Sequence, residues 1–156
     1  MHTRLVAIRH AKPVSEGNGD ETLRILSEEG RAKQKQRMQE LLDDGIVPEL
    51  ILCSPLIRAR QTAEIVSEFS GNVPIKIHEA LGYDFNKDAL LTFVNQYAKN
   101  KTVFFVGHSP TLSDFVNKLA GKNVTGLGLP VSGTAIIEFP DNIEFGAGTL
   151  VGLYTG

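Results

Sequence analysis

Two arginines and two histidines stand at points where the chain must leave a strand. "RLVAIRH", residues 4–10, ends an apolar run in Arg9 and His10. "ILCSPLIR", residues 51–58, ends another in Ser54 and Pro55, with Arg58 a few residues on. "VFFVGHS", residues 103–109, ends a third in Gly107, His108 and Ser109, and "IKIHE", residues 75–79, a fourth in His78 and Glu79. Each residue alone has an ordinary reading: a surface cation for Arg58, a hydrogen-bonded structural histidine for His10 or His108. An arginine directly after "LVAI", however, is half buried without an evident partner, which is costly. Guanidinium forks, imidazoles and helix N-termini gathered at matching strand ends describe a site for a phosphoryl group.

Other candidates fall away. His2 lies near the N-terminus, and His78 has no supporting pattern. Cysteine-dependent phosphatases place five residues between the nucleophilic cysteine and the phosphate-binding arginine, whereas four separate Cys53 from Arg58. Cys53 therefore reads as a buried strand residue.

The elements that would position these groups follow from pattern and punctuation. Arg4–Arg9 reads as a strand, and the loop after it, "HAKPVSEGNGDET", is broken by Pro13, Gly17 and Gly19. Ser27 is a good N-cap for a long amphipathic helix, with Glu28 and Glu29 at the positive end of its dipole and Gly45 as its stop. "ELILCS" is a second strand, and Leu56, Ala59, Ala63, Val66 and Phe69 recur at helical spacing until Gly71. "VPIKIH", "KDALLTFVNQYAKN", "TVFFVGH" and "TLSDFVNKLAG" continue the alternation of strand and helix. "GTAIIEF" and "TLVGLYT", separated by "PDNIEFGAG", read as a closing antiparallel pair. The expected fold is α/β, a mostly parallel central sheet with helices on both faces, because parallel strands require crossovers. Ligands bind such sheets at the carboxyl ends of the strands, where the four polar clusters fall.

A chain of 156 residues suits one domain, 1–156, with no linker or internal repeat. With 16 Lys+Arg against 18 Asp+Glu there is no basic field for nucleic acid. No apolar run reaches the roughly 20 residues of a membrane span, so no membrane partner is expected. A lone cysteine and an N-terminus without signal-peptide character point to the cytoplasm.

"RHA", "SPLIRARQTAEI" and "GHSP", in this order after apolar strands, with "LSEEG" and "LPVSGTAIIEF", resemble the histidine phosphatase superfamily, or phosphoglycerate mutase-like fold. The short length and the "LSxxG" and "SPxxRAxQTAE" forms are most similar to its SixA-type phosphohistidine phosphatases. The resemblance implies a nucleophilic His10, with Arg9, Arg58 and His108 holding the phosphoryl oxygens, Arg24 reaching in from the loop, and Ser109 beside them. It also implies a carboxylate acid after the third strand, for which Glu79 comes first and Asp84 second. The glycine usual after "RH" is Ala11 here, which would be strained in a left-handed conformation.

The implied activity is a metal-independent phosphatase working through a phosphohistidine, without cofactor, on protein phosphohistidine. A small phosphomonoester or sugar phosphate is the alternative substrate, and a phosphoryl-binding module without turnover is the third reading. A metal site on His10 and His108 is disfavoured, since Arg9 would repel a divalent cation and no carboxylate or cysteine cluster is closely spaced with them.

Overall fold

The computed structural model describes residues 2–15 and 19–156; Gly17 of the first loop lies outside them. The strands are β1 (Thr3–Arg9), β2 (Leu50–Cys53), β3 (Ile75–Ile77), β4 (Thr102–Gly107), β5 (Thr134–Phe139) and β6 (Thr149–Tyr154). The helices are α1 (Glu28–Asp43), α2 (Ile57–Phe69), α3 (Lys87–Tyr97) and α4 (Thr111–Ala120). Each matches an expected element to within a few residues. Two short 3-10 turns, Glu21–Leu23 and Glu79–Leu81, were not legible, since three residues carry no periodicity.

The strands lie in the order β3-β2-β4-β1-β5-β6. The first four are parallel; β5 runs against β1 and β6 against β5, so the antiparallel closure is as expected. Successive residues of a strand point to opposite faces, and the core divides accordingly. Val6 and Ile8 of β1 pack with Met38 and Leu41 of α1 and Ala59, Ala63 and Val66 of α2. Leu5 and Ala7 pack with Leu90 and Val94 of α3 and Leu112, Phe115 and Val116 of α4. The chain leaves β1 toward one face and the neighbouring β4 toward the other. A crevice opens where adjacent strands diverge in this way, and His10 and His108 stand at its two sides.

α1 is amphipathic in an unusual manner, because its inward face includes Gln34 and Arg37 beside Met38 and Leu41. Arg37 is 1% exposed and fully engaged: Nε donates to the Ser132 carbonyl, Nη1 to Glu40 and Nη2 to the Gly156 carbonyl. The start of α1 is fixed to the first loop. Ser27 Oγ accepts from the Gly30 amide and donates to the Lys12 carbonyl, and a Cβ on Gly30 would overlap that same carbonyl. The "LSEEG" signature is therefore a cap followed by a glycine that admits the backbone of the loop carrying His10.

Candidate active site

Backbone hydrogen bonds continue past the strand ends and hold the site residues in register. His10 N–H donates to the Gly107 carbonyl at 2.9 Å and Ser54 N–H to the Val106 carbonyl at 3.0 Å. Ser132 N–H donates to the Arg9 and His10 carbonyls at 3.0 and 3.2 Å, and Arg9 N–H to the Gly133 carbonyl at 3.0 Å. Ser132 has φ 59°, the left-handed region, and is wholly buried. That conformation is costly outside glycine, and here it turns one amide toward both carbonyls of the Arg-His pair. Ala11 does not share it: the residue is buried against Leu26 and Ile65, and its amide donates to Thr62 Oγ1 at 2.9 Å. The alanine therefore substitutes for glycine without backbone strain.

The imidazole of His10 is 5.1 Å from that of His108, centroid to centroid. His10 Nδ1 lies 2.8 Å from the Ala11 carbonyl oxygen, which can only accept, so Nδ1 carries the proton and Nε2 the lone pair. Burial, with Arg58, Arg9 and Arg24 nearby, pushes the pKa of His10 down to about 4, against the opposing pull of the Ala11 carbonyl. His108 is pushed down to about 3 by burial and then by His10, Arg58 and Arg9. Its Nε2 is 2.7 Å from Ser54 Oγ, and that hydroxyl oxygen accepts from the Leu56 amide. Both rings are neutral at pH 7.

The guanidiniums supply the positive charge. Arg9 Nη1 donates to the Leu129 carbonyl at 3.0 Å, and burial and then Arg58 lower the pKa of Arg9. Among the described residues, Arg9 Nε and His108 Nδ1 are buried polar atoms without a hydrogen-bond partner. Arg58, in the first turn of α2, has only 9% of its side chain exposed. Its Nη1 donates to the Glu21 carbonyl at 2.9 Å, and its Nη2 lies 3.6 Å from Glu21 Oε1. Arg24 is near enough to act on His10, yet its Nε and Nη2 donate to the Val14 carbonyl and its Nη1 to Glu21 Oε1 at 2.8 Å.

The remaining candidates differ in their surroundings. Ser109 Oγ is 2.9 Å from Ser113 Oγ and donates to the Leu129 carbonyl at 3.4 Å. With Arg9 and Leu129 it walls a cavity of about 160 Å³, whereas a larger one of about 420 Å³ opens beside Thr3 and Asn142, at the opposite end of β1. Glu79 and Asp84 are both exposed in the segment after β3, and neither is ion-paired among the described residues. His78 accepts the Ala80 amide at Nδ1, which makes it a structural cap. Cys53 is fully buried in β2, and burial raises its thiol pKa to about 11, so it is no nucleophile at neutral pH. Four contributors escaped the sequence reading. Ser132 and Leu129 act through a backbone amide and carbonyl, Thr62 through a hydroxyl that meets the Ala11 amide only in the fold, and Glu21 was hidden in a polar loop whose 3-10 turn has no pattern.

The family model of the histidine phosphatase superfamily (branch 1) matches residues 5–85. That is half of the chain, and it includes Arg9, His10 and Arg58; the protein belongs to this superfamily. An uncharacterized protein of Picosynechococcus sp. is 31% identical over 99 residues, covering 62% of this chain and 60% of that relative. The chain thus spans about three fifths of the length of the curated relative it matches. Among solved structures, a SixA-type protein of Agrobacterium tumefaciens superposes with a TM-score of 0.83 at 24% identity, over 99% of this chain and 98% of the other. A protein histidine phosphatase SixA complexed with tungstate gives 0.80 at 21%, over 97% and 96%. A mycobacterial glucosyl-3-phosphoglycerate phosphatase gives 0.72 at 17%, over 99% of each chain. At these identities the structural likeness establishes the phosphoglycerate mutase-like fold.

Proposed function

We propose that this protein is a metal-independent phosphohydrolase that passes a phosphoryl group from its substrate to His10 and then to water, with phosphohistidine on another protein as the substrate. The observation that carries the reading is the tautomer of His10. With Nδ1–H held by the Ala11 carbonyl, Nε2 has a lone pair beside Arg9 and Arg58, and burial keeps it unprotonated.

The chemistry runs in two displacements. Nε2 attacks phosphorus, a P–N bond forms, and the bond from phosphorus to the leaving group breaks. Arg9, Arg58 and His108 hold the phosphoryl oxygens and stabilise the charge spread over them. The leaving atom takes a proton from Glu79, with Asp84 the second candidate. Water then attacks phosphorus and gives a proton back to the same carboxylate, the P–N bond breaks with its electrons returning to Nε2, and phosphate departs. A phosphohistidine leaving group is a basic nitrogen, so it relies less on a tuned acid than an alkoxide does. The paired guanidiniums repel a divalent cation, which favours chemistry by cationic side chains alone.

Openness supports a macromolecular substrate. Only three residues, Ser54 to Leu56, connect β2 to α2, and nine, 78–86, connect β3 to α3, so no inserted domain roofs these strand ends. The single buried Cys53 fits the reducing cytoplasm. The small-phosphoester reading keeps the same site, and its support is the fold likeness to a glucosyl-3-phosphoglycerate phosphatase.

The test is hydrolysis of an aryl phosphate and of a phosphohistidine-bearing protein, both in chelator, by the wild type and His10→Ala. The expected result is turnover that His10→Ala reduces about a thousandfold or more, with the protein substrate preferred. Preference for small esters selects the second substrate class. Phosphate binding without turnover selects the binding module.

A further inference from the structure

Glu21 stands against Arg58, one of the cations that the proposed mechanism reserves for the phosphoryl group. Its Oε1 is 2.8 Å from Arg24 Nη1 and 3.6 Å from Arg58 Nη2, while its backbone carbonyl accepts from Arg58 Nη1. The backbone contact and the carboxylate contact have different consequences. The first orients the guanidinium at no electrostatic cost to an incoming anion. The second places a negative charge 3.6 Å from Nη2, a guanidinium nitrogen with no hydrogen bond among the described residues and so open to an anion.

Given the reading above, we propose that Glu21 is a built-in competitor for the phosphoryl group: its carboxylate is shared between Arg24 and Arg58, and an anion that binds Arg58 leaves it to Arg24 alone. The distances assign the parts. The Arg24 contact is short and charge-assisted, whereas the Arg58 contact is beyond hydrogen-bond length and is the one a better acceptor displaces. Arg24, tied by Nε and Nη2 to the Val14 carbonyl, is a fixed post that draws the carboxylate away from Arg58. Arg24 would then act on the site as a positioning residue through Glu21. Glu21 would weaken the hold on product phosphate, so that the second displacement ends in release.

The experiment is calorimetric binding of inorganic phosphate, at fixed ionic strength, to the wild type, Glu21→Gln, Arg24→Met and the double variant. Glutamine keeps an acceptor oxygen for Arg24, removes the charge and puts an amide NH2 in place of the second oxygen. Glu21→Gln is expected to bind phosphate about three- to tenfold more tightly, as expected when a like charge leaves an anion site. Arg24→Met should weaken binding when Glu21 is present and have less effect beside Glu21→Gln, the signature of coupled residues. Equal or weaker binding by Glu21→Gln overturns the inference alone, as does an Arg24→Met effect that is the same in both backgrounds. Absence of phosphate binding in every variant, the wild type included, overturns the phosphoryl site itself and the inference with it.

Discussion

At the scale of single residues, the decisive quantity is the proton on His10. An unperturbed imidazole is half protonated near pH 6.5, and a protonated one has no lone pair for phosphorus. Burial, reinforced by Arg58, Arg9 and Arg24, moves that point to about 4. The sign is that of a base with a lowered pKa: the lone pair of His10 is available at all pH values above about 4 and is lost below it. The acid limb of kcat/KM for an aryl phosphate should therefore fall near pH 4 rather than 6.5, once the titration of the substrate itself is taken into account. A limb at 6.5 would mean that His10 is not held in this environment. The identities of Arg9, His10, Arg58 and His108 were legible in the sequence because each follows an apolar strand or opens a helix. Their tautomers and partners were not, since these depend on the Ala11 carbonyl, Ser54 and Glu21, which come close only in three dimensions.

At the scale of elements, the site depends on how the first loop is joined to α1. The Ser27 hydroxyl and amide both donate to the Lys12 carbonyl, two residues after His10, and Gly30 packs closely against the same carbonyl. Gly30→Ala would drive a methyl into that oxygen in the first turn of α1, a position with no flexible side chain to move aside. The expected cost is about 2–3 kcal/mol, read as a lower midpoint in chemical denaturation, and a fall in kcat as His10 shifts. An unchanged midpoint and rate would show that the loop can separate from α1 without consequence. The alternation of strands and helices was legible because apolar runs and caps mark it. The polar inner face of α1 was not: Arg37 reads as a surface cation until its three hydrogen bonds, to the Ser132 carbonyl, Glu40 and the Gly156 carbonyl, are seen. Through Ser132 this arginine supports the turn that grips the Arg9–His10 backbone.

At the scale of the whole molecule, the design is a rigid sheet whose two central strands, β1 and β4, send the chain to opposite faces and leave charged groups between them. The net charge of −2 means that affinity for an anion is local rather than a property of the surface. Among the described residues no helix is long and apolar enough to cross a membrane. Substrate choice was the least legible property, because the residues proposed to hold the phosphoryl group do not distinguish one phosphoryl donor from another. The covalent step itself can be observed directly. After rapid mixing with a phosphoryl donor and quenching in base, which preserves phosphohistidine, peptide mass spectrometry should find one phosphate on His10, absent from His10→Ala and decaying as free phosphate appears. Turnover without that adduct, or a phosphate on any other residue, would contradict the assignment of His10 as the nucleophile.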